Sequence, residues 1–271
     1  MLANFFVWYA LSWEDRRGQL TISFLDVGQG DSIFIDTPNG NQILIDGGPD
    51  DKVLKEISRF MPFYDRDIDL VMLTHPHQDH IGGLIPVLAR YAADQVVSSG
   101  TEYASAQYKR WRELLKEKNV KEIVGRRGMR IDTGDGVYLD ILLPVADVKN
   151  VKPHDGMMVS RLTYASTSVM LTGDMEKNLE DYLLFLDKKN LKSDILKVGH
   201  HGSRTSTDEA FLGYVKPSLA IISNGKKNRY GHPHAEILKR LKDFKINTLR
   251  VDQEGSIRVK SDGSKLNVYL P

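Results

Sequence analysis

With 271 residues, 41% hydrophobic and 27% charged, the chain carries enough apolar mass to bury a sizeable core and too much to stay disordered. A net charge of +1 excludes a general electrostatic pull towards nucleic acid or anionic membrane, so any polyanion must be met by a local basic patch. The absence of cysteine excludes disulfides, thiolate metal sites and a cysteine nucleophile, leaving histidine and carboxylate as the strong metal ligands.

The chain opens on "MLANFFVWYALSW", an apolar stretch flanked by Glu14, Asp15, Arg16 and Arg17. It is about half the ~20 residues that span a bilayer, and it lacks the basic start and small-residue cleavage site of a signal peptide. Two readings remain for residues 1–18: a core-docking or amphipathic segment, or the end of a membrane helix. Residues 19–271 then read as one domain without linker, repeat or low-complexity segment.

Strands are expected near 20–26, 31–36 and 42–46, the last two joined by the hairpin turn "PNGN". "PDDKVLKEISRFM" spaces Val53, Leu54, Ile57 and Phe60 as an amphipathic helix behind an acidic first turn. "DIDLVMLTH" is a strand buried on both faces, followed by a short helix in "GGLIPVLARY", a strand in "DQVVSSG" and a charged amphipathic helix in "SAQYKRWRELLKEKN". The second half repeats the plan. Strands are expected near 122–125, 137–142, 158–164, 167–171, 193–198, 218–223, 247–251, 256–260 and 265–269, with helices near 175–187, 207–213 and 234–243. Two blocks of strands followed by helices imply an α+β fold, an αββα four-layer sandwich.

"LTHPHQDHIGG" places His75, His77, Asp79 and His80 in the loop after the buried strand, in a chain with only 8 histidines. Strand-end loops project from a rigid scaffold and collect chemistry. Two residues apart in extended chain, His75 and His77 point the same way, while Asp79 and His80 lie further along the turn. That suits two adjacent metal ions, the first pair on one and the second pair on the other. Ordinary surface histidines are the bland alternative, and three of them with a carboxylate in six positions beside Gly82-Gly83 argue against it.

At these residues the chain resembles the metallo-β-lactamase-fold hydrolases. "FLDVGQGDS", "LTHPHQDHIGG", "LTGD", "LKVGHHGSRTS" and "NRYGHPH" resemble, more narrowly, the C-terminal metallo-β-lactamase-like domain of ComEC competence (DNA-uptake) proteins, over about residues 20 to 260. The resemblance implies two divalent ions, Zn²⁺ or Mn²⁺, with Asp174 as the carboxylate shared between them. A helix N-cap is the plain alternative for Asp174. His200 is the implied late ligand, completing the site of Asp79 and His80, with His201 behind it or on substrate; the choice between the two stays open. His154, before a strand, is the candidate third ligand of the His75/His77 ion, against an exposed loop histidine. Asp46 and Asp31 are expected behind the ligands, since metal-bound imidazoles need an acceptor on their other nitrogen.

"NGKKNRYGHPH" gathers Lys226, Lys227, Arg229, Tyr230, His232 and His234 before a helix, and Ser203, Arg204, Thr205 and Ser206 form a similar polar loop. These read either as substrate-binding loops for a phosphate and a base or as solvated loops. Two ions lower the pKa of a water between them from 15.7 to about 7. Asp79 would orient that nucleophile, and His232 or His201 would stabilise the transition state or protonate the leaving oxygen. The expectation is a DNA phosphodiesterase that degrades the non-transported strand during uptake, with DNA, mainly single-stranded, as partner. A hydrolase of small phosphodiesters, esters or lactones and a non-catalytic DNA-guiding module are the rivals. By the same resemblance the domain lies on the extracytoplasmic face beside a membrane channel portion of the same or a partner protein, a stand-alone soluble relative being the alternative. Oligomeric state is not legible.

Overall fold

In the computed structural model, which describes residues 18–271, the strands form two mixed sheets packed face to face. The segment read at 1–18 lies outside the described residues apart from Gly18. The chain first lays down β1 (Leu20–Phe24), β2 (Ile33–Asp36), β3 (Gln42–Ile45), β4 (Asp67–Leu73), β5 (Ala92–Ser98) and β6 (Lys121–Val124). It then builds β7 (Arg130–Asp132), β8 (Val137–Leu143), β9 (Val159–Tyr164), β10 (Thr167–Leu171), β11 (Ile195–Lys197), β12 (Leu219–Ile222) and β13 (Asn247–Arg250). Finally β14 (Ile257–Ser261) and β15 (Leu266–Tyr269) return to the first sheet, giving the orders β15-β14-β1-β2-β3-β4-β5-β6 and β13-β12-β11-β10-β9-β8-β7.

Both sheets follow one plan. Antiparallel strands at one side, β1 to β3 and β7 to β10, give way to parallel ones, β3 to β6 and β10 to β13. Parallel neighbours end on the same edge, so the loops after β3, β4 and β5, and those after β10, β11 and β12, gather at one end of each sheet, where open sheets bind ligands.

Alternation places side chains in separate layers. Leu70 and Met72 of β4, Val169 and Leu171 of β10 and Ile221 of β12 fill the layer between the sheets. Val71 and Leu73 face outward with Trp111, and Met170 and Ile222 outward on the other side. Each such Leu or Ile contributes roughly 1.5–3 kcal/mol on burial. The first outer layer holds α1 (Lys52–Ile57), α2 (Gln78–Ile81), α3 (Leu84–Arg90) and α4 (Ala106–Glu117). The second holds α5 (Lys177–Asp187), α6 (Glu209–Val215) and α7 (Ala235–Asp243), which completes the αββα sandwich; a short α8 (Val251–Glu254) follows β13. Ser105 caps α4 by accepting the Tyr108 N–H at 3.1 Å. Among the described residues no helix is long and apolar enough to cross a membrane.

Three elements differ from expectation. β7 is a short edge strand whose residues are not buried, so it has no apolar signature. α2 forms where a turn was expected, with His77 in extended backbone before it. α8 replaces the last residue of the strand expected at 247–251.

Candidate metal centre

β4 runs into Thr74, His75, Pro76 and His77, and α2 then carries Asp79 and His80. Asp46, just past β3, anchors this turn. Its buried carboxylate accepts the Thr74 N–H at 2.8 Å and the Thr74 hydroxyl at 2.7 Å, and faces His80 Nδ1 at 2.8 Å. The two Gly-Gly pairs let the chain cross itself here. Gly47 N–H donates to the His80 carbonyl at 2.7 Å and Gly83 N–H to the Gly48 carbonyl at 2.9 Å, while a Cβ on Gly83 would stand 1.9 Å from the Gly47 carbonyl oxygen. "LIDGG" and "DHIGG" are thus two segments packed backbone to backbone.

Three sets of ligand-type atoms converge, each within 4.8 Å: His75, His77 and His154; Asp79, His80, Asp174 and His201; and His154, Asp174 and His200. Asp174, after β10, is common to the last two. Its Oδ2 lies 3.1 Å from His80 Nε2, 3.8 Å from His75 Nε2 and 3.9 Å from His200 Nε2, and its Oδ1 lies 3.3 Å from His201 Nε2. It is not a helix cap, since the N-cap position of α5 belongs to Glu176. Asp31, Asp46 and His80 also converge, but Asp46 is spent on Thr74 and His80 and Asp31 on Lys197, so that set supports rather than binds.

The donor set fits divalent cations. His80 Nε2, His201 Nε2 and Asp174 Oδ1 are buried without a hydrogen-bond partner, and nitrogen and carboxylate lone pairs unspent at such range suit ions that take both. The two halves differ in charge. Burial, then the neighbouring His80, pushes the His75 imidazole well below its usual range, and burial with His154 brings His77 down to about 4. Both are neutral, the form that ligates. Around Asp174 the balance reverses: burial opposes ionisation of His80, but Asp174 and Asp46 outweigh it and hold that imidazole protonated, and Asp174 and Asp31 do the same to His201. Burial likewise raises Asp79, yet His201 and His80 bring it to about 2. This half demands positive charge, which protons or a cation can supply.

Elements of both sheets brace the histidines. His201 Nδ1 faces the Ser223 carbonyl, past β12, at 2.9 Å and Asp31 Oδ1 at 3.4 Å. Asp31 is in turn paired with Lys197, fully buried at the end of β11, whose ammonium donates to the Gly173 carbonyl at 2.9 Å. Burial pushes Asp31 up, but Lys197 and His201 together hold it below the usual carboxylate value. Glu180 of α5 accepts the Thr207 and Asp208 N–H groups and so fixes the turn after His201; burial pushes its carboxyl up to about 7. Asp46 lies against His80 and Asp31 against His201.

One grouping is corrected. His200 was expected with Asp79 and His80, yet His201 occupies that place and His200 sits with His154, its Nδ1 facing Glu176 at 3.1 Å. The cause is backbone: His200 and His201 are both left-handed, with φ of 46° and 54°, so successive side chains diverge into different halves. His201 is therefore among the ligand-type atoms rather than behind them.

The mouth of the site is a cavity of about 360 Å³ lined by Gln29, Pro49, Gln78, Asp79, Lys227, Asn228, Arg229 and Tyr230. Lys226 is exposed and outside that lining. His234 Nδ1 accepts the Arg204 N–H at 3.0 Å and ties the two polar loops together. Ser203 is buried, its hydroxyl 3.0 Å from that of Thr205, so it shapes its own turn instead of facing substrate. His232 lies 5.7 Å from His200 and 6.3 Å from His201 between ring centroids. Burial, with His201 and His200, lowers it to about 4, which suits a neutral hydrogen-bonding group and not the proton donor expected for the leaving oxygen. Sequence reasoning missed Lys197, whose one signal is a cation inside the apolar run "DILKVG". It gave no role to Gln29, Gln78 and Asn228 in the cavity wall, although each lies inside a quoted motif, and it missed Tyr103 beside His77, which carries none.

The family description "Metallo-beta-lactamase superfamily" matches residues 25–226. Among curated proteins the chain is similar to ComE operon protein 3 of Bacillus subtilis (strain 168), with 32% identity over 269 residues, 92% of this chain and 34% of that protein. It is also similar to Competence protein ComA of Neisseria gonorrhoeae, 28% identical over 89% of this chain and 32% of that protein. The chain spans about a third of the length of these relatives. Among solved structures Igni18, a metallo hydrolase from the archaeon Ignicoccus hospitalis KIN4/I, shares the fold at a TM-score of 0.58 and 15% identity, covering 88% of this chain and 98% of that one. A family match across both sheets, together with strand ends that bring "HPHQDH" to Asp174, means that the chain belongs to the metallo-β-lactamase superfamily.

Proposed function

We propose that the chain is a metal-dependent phosphodiesterase that cleaves DNA and, during DNA uptake, degrades the strand that is not transported. The observation that carries this reading is the meeting of two ligand sets at Asp174 beside a cavity that offers Lys227, Arg229 and Tyr230. Similarity to proteins named for competence supports the DNA-uptake setting. We further propose that the domain lies beside a membrane channel portion, on its extracytoplasmic face, a setting supported by similarity to competence proteins.

His75, His77 and His154 would hold one cation, and Asp79, His80 and His201 the other, with Asp174 serving both and His200 joining from the His154 side. Bound there, divalent ions supply Lewis acidity towards a phosphodiester and acidify water. The chain's own groups do the rest. Asp46 and Asp31 hold the imidazoles in fixed orientation, Asp79 lines the cavity where its carboxylate can accept a hydrogen bond from a water, and Lys227 and Arg229 meet flanking phosphates. His232, kept neutral, is placed to hydrogen-bond a phosphoryl oxygen.

Incubation of single-stranded DNA with the protein and added Mn²⁺ or Zn²⁺ tests the reading, with metal content measured in parallel. Wild type should cleave and His77→Ala should not. No cleavage by metal-loaded wild type, or equal cleavage by His77→Ala, overturns it.

A further inference from the structure

A file of aromatic rings runs through the centre from one exposed tyrosine to another. Tyr103, 41% exposed, meets His77 edge-on with ring centroids 5.4 Å apart. His77 and His154 follow at 4.4 Å, His154 and His200 at 4.7 Å, and His200 and His232 at 5.7 Å. Tyr230 ends the file, 49% exposed and nearly parallel to His232 at 5.6 Å and 23°. The inner rings belong to the ligand sets or their border; the end rings turn apolar surface to water.

Neither end is left to drift. The Thr101 hydroxyl donates to the Gly156 carbonyl at 3.0 Å and the Glu102 N–H to the Lys149 carbonyl at 3.1 Å, which ties the Tyr103 loop to the segments flanking His154. At the other end the Asn228 amide donates to the Gly225 and His232 carbonyls at 2.9 and 2.6 Å, and its oxygen accepts the His232 N–H at 2.8 Å. The Gly225 N–H donates to Gln29 at 3.1 Å. Exposed rings on loops already anchored lose less entropy when something flat settles on them than rings on free loops would.

We propose that Tyr103 and Tyr230 are stacking platforms at the two ends of the centre. A single nucleic-acid strand lies along the ring file, with an unpaired base on each tyrosine and one of the intervening phosphates over the ligand sets. The proposal rests on the nucleic-acid reading given above and names its substrate class as single-stranded. The Tyr230 end is also cationic: the Arg229 guanidinium lies 5.0 Å from the Tyr230 ring, and Lys227 lines the same cavity, which is large enough for a base. In a duplex the bases are already stacked on one another, so their faces reach neither ring without unpairing. Base–aromatic stacking is worth about 1–3 kcal/mol per base, which corresponds to about 5- to 150-fold in affinity.

Fluorescence anisotropy in EDTA tests this without any turnover, using an oligothymidylate, an abasic strand of equal length and a duplex. The wild type should bind the oligothymidylate about 10- to 100-fold tighter than the abasic strand, with the duplex weaker than the oligothymidylate. Tyr103→Ala and Tyr230→Ala, each checked for fold by circular dichroism, should lose about 5-fold or more on the oligothymidylate and nothing on the abasic strand, while Tyr103→Phe and Tyr230→Phe should retain wild-type binding. Equal binding of base-bearing and abasic strands by the wild type, duplex binding as tight as single-strand binding, or folded alanine variants that bind as wild type overturn the proposal. Cleavage without discrimination overturns the stacking proposal alone. Discrimination by a metal-loaded protein that cuts no strand supports it and overturns the nuclease reading.

Discussion

His80 lies fully buried between Asp46 and Asp174, whereas His154 sits half-buried on the loop before β9, with no hydrogen bond to its ring among the described residues. The members of His80's surroundings are delivered by strand ends or by α2, and Asp46 holds His80 from behind as Asp31 holds His201. His154 is delivered by chain alone and is placed by packing against His77 and His200. One half of the centre is therefore organised before any ion arrives, and the other is completed by it. The lesson is that an equal inventory of ligands does not make two equal sites; what stands behind each ligand decides.

The strongest way to break the organised half is to remove a buried support. Lys197→Met leaves the Asp31 carboxylate buried without its partner, which should cost about 3–5 kcal/mol in urea unfolding. Adding Asp31→Asn should recover part of that loss; if the single variant unfolds like wild type, Lys197 is not a support. Next, Asp46→Asn keeps the shape but removes the charge facing His80, and metal affinity measured against a chromophoric chelator should drop about 10- to 100-fold. An unchanged affinity would show that Asp46 serves Thr74 only. The smallest effect belongs to the other half. His154→Ala should alter unfolding free energy by no more than about 0.5 kcal/mol, while elemental analysis loses one cation per chain and keeps the other. Loss of both cations together would erase the distinction between the halves.

Most strands of both sheets were legible because they are bounded apolar runs, and "DIDLVMLTH" announced a strand covered on two faces, whereas the exposed edge strand β7 left no such mark. "HPHQDH" was legible because its ligands are contiguous, so spacing alone argued for shared ions. The allotment of His200 and His201 was not legible, because consecutive left-handed residues other than glycine leave no mark in composition. Ser203 misled for the opposite reason: a polar residue in a polar loop looks exposed, and only the packed turn shows its hydroxyl engaged locally. Tyr103 stands far from every motif in the chain and reaches the centre only because β5 ends beside β4.

The Asp31–Lys197 pair joins the first sheet's opening strands to the second sheet's parallel core. In folding terms it is a long-range closure, since its partners lie far apart in the sequence and on different sheets, and meet only where the two sheets are docked. The grouping of ligand-type atoms is thereby coupled to completed assembly. A nascent or nicked chain holding "HPHQDH" alone has three histidines but neither Asp174 nor His201, so the ligand-type sets that meet at Asp174 exist only when the whole fold is in place.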